Sequence, residues 1–171
     1  MMQFLSNLEP RREDPGVIIA DELDEFNEVL FFTKGEYHVG FTINRETTYV
    51  LRFTCDNEDS TQGNMIGAYN ITFQKRSLFV YRTESECQGY QIRQSNWLKL
   101  FDDHKEIGEL FQTEIKREFD VVLLNRVMRE KDKEIEKWQK RQDYNGILQV
   151  QSDDFTFKQK STKKMMKQLH S

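Results

Sequence analysis

The chain has 171 residues, 37% of them hydrophobic and 32% charged, with a formal net charge of −4. That mild acidic balance excludes the broad basic face on which non-specific nucleic-acid binding depends. Cys55 and Cys87 are too few for a disulfide framework, and no run reaches the ~18 consecutive apolar residues of a membrane-spanning helix.

Met1 to Leu8 lacks the basic flank and long apolar core of a secretory signal. Free thiols in a cytoplasmic protein are the expectation. The two prolines, Pro10 and Pro15, flank the charged stretch Pro10-Arg11-Arg12-Glu13-Asp14-Pro15, so residues 1–14 read as a short lead-in. Pro15-Gly16 is a turn signal. Val17-Ile18-Ile19 is a short β-branched run, followed by the acidic loop Asp21-Glu22-Leu23-Asp24-Glu25. That loop lacks the alternating ligands and central glycine of a calcium site, so it reads as a solvated turn.

Val29 to Phe32 is apolar throughout, as in a strand buried on both faces. Lys34-Gly35 then reads as a two-residue hairpin turn, with Gly35 supplying the positive φ. Tyr37, Val39, Phe41 and Ile43 alternate with polar or small residues, and Tyr49, Leu51 and Phe53 repeat the pattern. Cys55 to Asn64 is a polar loop. Ile66 to Ser77 leads into strand-like Leu78 to Arg82, and Gly89 to Arg93 follows. Short strands separated by turns predict a mainly β chain, an antiparallel roll of jelly-roll type, over residues 15–101.

The period changes after Asn96. Trp97, Leu98 and Phe101 begin a helical pattern, and Ile107, Leu110, Phe111, Ile115, Phe119, Val122, Leu123 and Val127 continue it at steps of three and four. This predicts a long amphipathic helix within a C-terminal helical region, residues 102–145. Gly108 costs its first turn ~1 kcal/mol relative to alanine. Beyond Met128 the stripe thins, leaving Ile135 and Trp138 among charges, with Glu136 and Lys140 at ion-pair spacing. Residues 146–171 form a lysine-rich tail with little core material, expected to be flexible.

The order of these pieces resembles a cyclic-nucleotide-binding domain. The residues that carry the likeness are Asp14 to Ile19, Asp24-Glu25, Val29 to Phe32, Lys34-Gly35-Glu36, Ile66-Gly67-Ala68 where that family has Phe-Gly-Glu, and Arg76-Ser77 near its phosphate contact. Over Leu8 to Asp143 the wording is most similar to the cytoplasmic domain of ciliate potassium channels related to the hyperpolarisation-activated and ether-à-go-go types. The resemblance implies a β-roll with a short helix in the phosphate cassette, a C-terminal lid helix, and cAMP or cGMP as ligand. It implies a regulatory rather than catalytic role in ion transport, with the candidate ligand-binding residues Ile66, Gly67, Ala68, Arg76 and Ser77.

Two departures from that family weaken the expected pocket. Ala68 stands where a glutamate would accept from the ribose hydroxyl, and seven residues separate it from Arg76, about one fewer than usual. Loss of one charge-assisted hydrogen bond costs ~1.5–3 kcal/mol. The alternative is therefore a vestigial module that works as a structural or interaction subunit, with the helix from Ile107 to Arg141 docking on other protein subunits. His38, His104 and His170 are too scattered for a metal-dependent roll enzyme. No GxSxG, HExxH or P-loop is present, so neither a catalytic nor a metal site is expected.

Overall fold

The computed structural model describes residues 6–55, 65–103 and 105–142. The expected polar loop tip and the lysine-rich tail of residues 146–171 fall outside them. The chain divides into two units, residues 1–131 and 132–171.

Among the described residues of the first unit, eight strands form two antiparallel four-stranded sheets. The strands are β1 (Glu9–Glu13), β2 (Ile18–Ala20), β3 (Glu28–Lys34), β4 (Glu36–Ile43), β5 (Glu46–Thr54), β6 (Met65–Ile66), β7 (Val80–Thr83) and β8 (Cys87–Arg93). The sheet orders are β1-β8-β3-β6 and β2-β7-β4-β5. Glu9–Glu13, read from sequence as lead-in, is thus an edge strand paired along its length with β8. The architecture is an antiparallel β-roll with helices after it, and its two sheets do not merge into a closed barrel.

The expected hairpin at Lys34-Gly35 is a corner instead. β3 and β4 belong to different sheets, and the chain turns between them at Gly35. Gly35 has φ 98°, and a Cβ there would lie 2.3 Å from the Glu86 carbonyl oxygen. The hairpin of this region joins β4 to β5 through Asn44-Arg45, with Ile43 opposite Glu46. Both turn residues have positive φ, 52° and 70°. That is the pair of left-handed residues a type I′ turn demands, but no glycine marks it, and Asn44 is the one residue there with a turn preference.

The alternation in β4 does what its period implies. Tyr37, Val39 and Phe41 point inward with Phe32, Leu51, Phe53 and Tyr81 to form the core between the sheets. A second cluster, built on Val29, Ile71, Ile92, Trp97 and Phe101, lies beneath the helices.

The expected long amphipathic helix is present: α3 (Lys105–Glu118) runs without a break into a π-helical segment (Phe119–Leu124) and helical residues 125–131, and a separate helix, α2 (Gln94–Asp103), comes before it. The five-residue helix α1 (Ala68–Thr72) precedes them. Phe111 sits 5.7 Å from Trp97 and 6.0 Å from Phe101, ring centre to ring centre. In one straight helix Trp97 and Phe111 would be ~21 Å apart, so α3 must fold back on α2. Gly108 is buried at that approach, its position only 3.3 Å from Phe101 backbone for an added Cβ. Close packing explains a glycine that looked like a helix weakness.

The π segment keeps the stripe facing inward. Ile115, Phe119, Val122 and Val127 are all buried. In a regular α-helix the eight steps from Phe119 to Val127 would overshoot two turns by ~80°. The wider turn, closed by the Asn125 N–H donating to the Asp120 carbonyl, absorbs that excess. In the second unit, residues 132–142 are helical, with Lys137 and Glu134 paired at 2.6 Å and Trp138 exposed.

Candidate functional site

The cassette starts where β6 ends. Ile66 is buried and pairs with Leu30 of β3. Gly67 turns the chain into α1 with φ 84°, and a Cβ there would meet the Phe26 ring at 2.8 Å and the Glu28 carbonyl oxygen at 2.9 Å. Both the dihedral and the space exclude a side chain. Ala68 follows, buried, as the first residue of α1.

After α1 the loop is tied down from within. Lys75 N–H donates to the Asn70 carbonyl at 2.8 Å, and Asn70 Nδ2 donates to the Arg76 carbonyl at 3.0 Å. Ser77 N–H donates to the Asp24 carbonyl, Leu23 N–H donates to the Ser77 carbonyl, and the Ser77 hydroxyl donates to the Phe79 carbonyl at 2.7 Å. Buried Ser77 therefore fastens the cassette to the acidic loop.

The arginine expected to meet a phosphate faces elsewhere. Arg76 is largely exposed, and its Nη2 donates to Glu25 at 2.7 Å. With Lys75, Asn27, Gln74 and Gln94 it lines a groove of about 300 Å³ on the outside of the cassette. Of the five candidate residues, Gly67 and Ala68 border the space between cassette and closing helix. Ile66 supports them from the strand, while Arg76 and Ser77 lie outside it.

That space is nearly full. The ring of Phe119 lies parallel to Tyr69, with centroids 3.8 Å apart and planes 5° from parallel, and Phe79 is 6.0 Å beyond. The remaining cavity is about 30 Å³, bordered by Met65, Tyr81, Ile115, Glu118, Val122 and Leu123 besides the cassette. Pockets for small organic ligands span roughly 300–1,000 Å³. Part of the helix stripe read as a docking face for other subunits is buried on its own roll, where Phe119, Val122 and Val127 join the inter-sheet core, while Leu110 of the same stripe is exposed.

Electrostatics follow this burial. Tyr69 is pushed above the ordinary phenol range, first by burial and then by the nearby Asp120 carboxylate. Tyr37, deeper in the roll, is raised further, mainly by burial, with Glu118 among the negative neighbours. Among the described residues, no lysine, arginine or histidine lines the cavity. The described residues contain no cluster of three or more metal-ligating side chains and no helix long and apolar enough to cross a membrane.

Sequence reasoning missed Tyr69, Glu118 and Phe119 as residues of the site. The Tyr69/Phe73 spacing of four and the Phe119 position in the apolar stripe are the only signals, and both read as ordinary helix packing.

No protein-family model and no curated protein sequence matches the chain. Solved structures do. A protein from Geobacter metallireducens assigned to the cyclic-nucleotide-binding class is similar with TM-score 0.53 and 11% identity, over 71% of this chain and 80% of that one. The sensor domain of the transcriptional regulator DNR from Pseudomonas aeruginosa is similar with TM-score 0.53 and 7% identity, over 68% and 75%. The cAMP-bound EAL enzyme Bd1971 is similar with TM-score 0.50 and 14% identity, over 64% of this chain and only 28% of that one. The fold is that of a cyclic-nucleotide-binding domain: a mainly antiparallel roll followed by helices.

Proposed function

We propose that this chain is a regulatory module on the cyclic-nucleotide-binding fold, whose closing helix rather than a cyclic nucleotide fills the ligand hollow. The observation that carries this reading is the Tyr69–Phe119 stack, which leaves about 30 Å³ of free space. Ala68 in place of an acceptor and Arg76 paired outward to Glu25 point the same way. The module would act by protein contact, through the position of its helix, and the reading assigns it no catalytic step and no nucleic-acid partner. A potassium-channel setting, at the cytoplasmic face of a membrane, rests on the wording of Leu8 to Asp143 alone.

Calorimetric titration with cAMP and cGMP tests this. Either nucleotide is expected to give no binding below millimolar, weaker than ~4 kcal/mol. Micromolar binding abolished by Arg76→Ala would restore the ligand-sensor reading and overturn this one. The structural neighbour Bd1971 holds cAMP, which makes that nucleotide the first to titrate.

A further inference from the structure

We propose that the groove on the outside of the cassette is a binding site for a peptide segment that presents a carboxylate. The groove stands on the far side of α1 from the hollow, whatever fills that hollow.

Its volume of about 300 Å³ is at the lower end of the range for small organic ligands. Three stretches of chain converge on it: Asn27 just before β3, Asn70 and Gln74 in and after α1, and Gln94 at the start of α2. The junction is fixed by backbone bonds. Gln94 N–H donates to the Asn27 carbonyl at 2.8 Å, and Lys75 N–H donates to the Asn70 carbonyl at 2.8 Å. Phe26 and Ile71 add apolar surface between these polar groups.

The polar side chains there are unspent. Among the described residues, the side chains of Asn27, Gln74, Lys75 and Gln94 make no hydrogen bond or ion pair. Asn70 is only 4% exposed. Its Nδ2 donates to the Arg76 carbonyl at 3.0 Å, and its Oδ1 accepts from no described group. No buried side-chain nitrogen or oxygen among the described residues lacks a partner, so this oxygen faces open space. Asn70 borders both the groove and the cavity of about 30 Å³, and only the groove has room for a ligand.

This set of groups selects the ligand. A carboxamide donates and accepts at once, so a partner for four of them carries both functions close together, as a peptide backbone does. The charged residues lining the groove are Glu25, Lys75 and Arg76, and Glu25 holds Arg76 at 2.7 Å. One ammonium, that of Lys75, is left over. A single positive charge matches one carboxylate and falls short of a phosphate, which carries about −1.5 to −2.

The test is titration of the isotope-labelled full chain, followed by amide chemical shifts. The probes are acetyl-Gly-Asp-Gly-amide, its Asn and phosphoserine counterparts, and glucuronate as a sugar acid. The aspartyl peptide is expected to shift the amides of Asn27, Gln74, Lys75 and Gln94 and to bind ~3–5-fold tighter than the asparaginyl peptide. Added salt should shrink that preference. Lys75→Gln is expected to abolish it while leaving the asparaginyl peptide unchanged. Lys99→Gln, an exposed position of α2 that does not line the groove, is expected to change neither. Gln94→Ala should weaken both peptides alike, by ~2–5-fold. Equal affinity for the aspartyl and asparaginyl peptides overturns the proposal, as does a preference that survives Lys75→Gln. Tighter binding of the phosphoseryl peptide or of glucuronate overturns the ligand class, and shifts confined to other residues, or none with any probe, overturn the site.

Discussion

Lys131 Nζ sits 3.2 Å from Glu22 Oε1, joining the end of the closing helical run to the loop between β2 and β3. The same carboxylate oxygen accepts from Thr42 N–H at 3.2 Å, and the ammonium lies 5.6 Å from the centre of the Phe41 ring. Three elements meet at one clip, on residues about three-quarters buried.

Lys131→Met keeps the stem over Phe41 and removes the charge. The variant is expected to lose about 1 kcal/mol in urea unfolding, since partly buried pairs exceed the ~0–1 kcal/mol of exposed ones only modestly. Hydrogen exchange in residues 119–131 should quicken, while β4 and β8 remain protected. Unchanged exchange in the helix would show that the clip does not hold it.

Alkali should expose the buried phenols. Tyr37, Tyr69 and Tyr81 are all raised above the ordinary phenol range, each chiefly by burial. The folded state therefore holds protons that the unfolded state releases above pH ~10, and stability falls as pH rises past that point. Below it, these groups contribute their full share. Phenolate absorbance from the fully buried Tyr37 and Tyr81 should appear together with loss of near-ultraviolet circular dichroism. Tyr69 titrating normally in the intact fold would show its ring to be open to water.

At the β4–β5 turn, Arg45 holds φ 70°. A left-handed backbone costs a non-glycine residue ~1–2 kcal/mol, less the extra unfolded-state entropy of glycine. Arg45→Gly is expected to stabilise the chain by about 0.5–1 kcal/mol, a rise in Tm of roughly 1–4 °C. A fall in Tm would mean that the arginine side chain contributes more than the turn costs.

Gly67→Ala sets the opposite case. The left-handed φ is joined by contacts of 2.8 and 2.9 Å to Phe26 and Glu28. Destabilisation of about 2–4 kcal/mol is expected, above the usual ~1 kcal/mol of a point mutant. A loss below ~1 kcal/mol would show that the corner can relax.

Much of the roll was legible because period-two alternation survives wherever one strand face is buried, as in Tyr37, Val39 and Phe41. At Gly67 the φ and the contacts with Phe26 and Glu28 leave no alternative residue, which ties one sequence position to one backbone turn. What escaped was long-range. Nothing local to Gly35 says that β3 and β4 part into different sheets, and at Asn44-Arg45 only the turn preference of Asn44 announces a turn without glycine. Arg76 carries the right chemistry at nearly the right spacing, but its direction was decided by Glu25, 51 residues earlier. The contents of the hollow were equally hidden, because Phe119 looks in sequence like any other stripe residue and only its 50-residue return to Tyr69 gives it a role.

The wide turn at Phe119–Leu124 makes the closing helix a vernier. Removing one residue there would restore regular pitch and keep Val127 within ~20° of two full turns, whereas adding one would swing everything downstream by ~100°. Val127 would then leave its seat and Lys131 would sweep away from Glu22, although every side chain that makes the clip would still be present. The lid is thus coded in phase as well as in composition, and insertion of a single residue can open it where substitution would only loosen it.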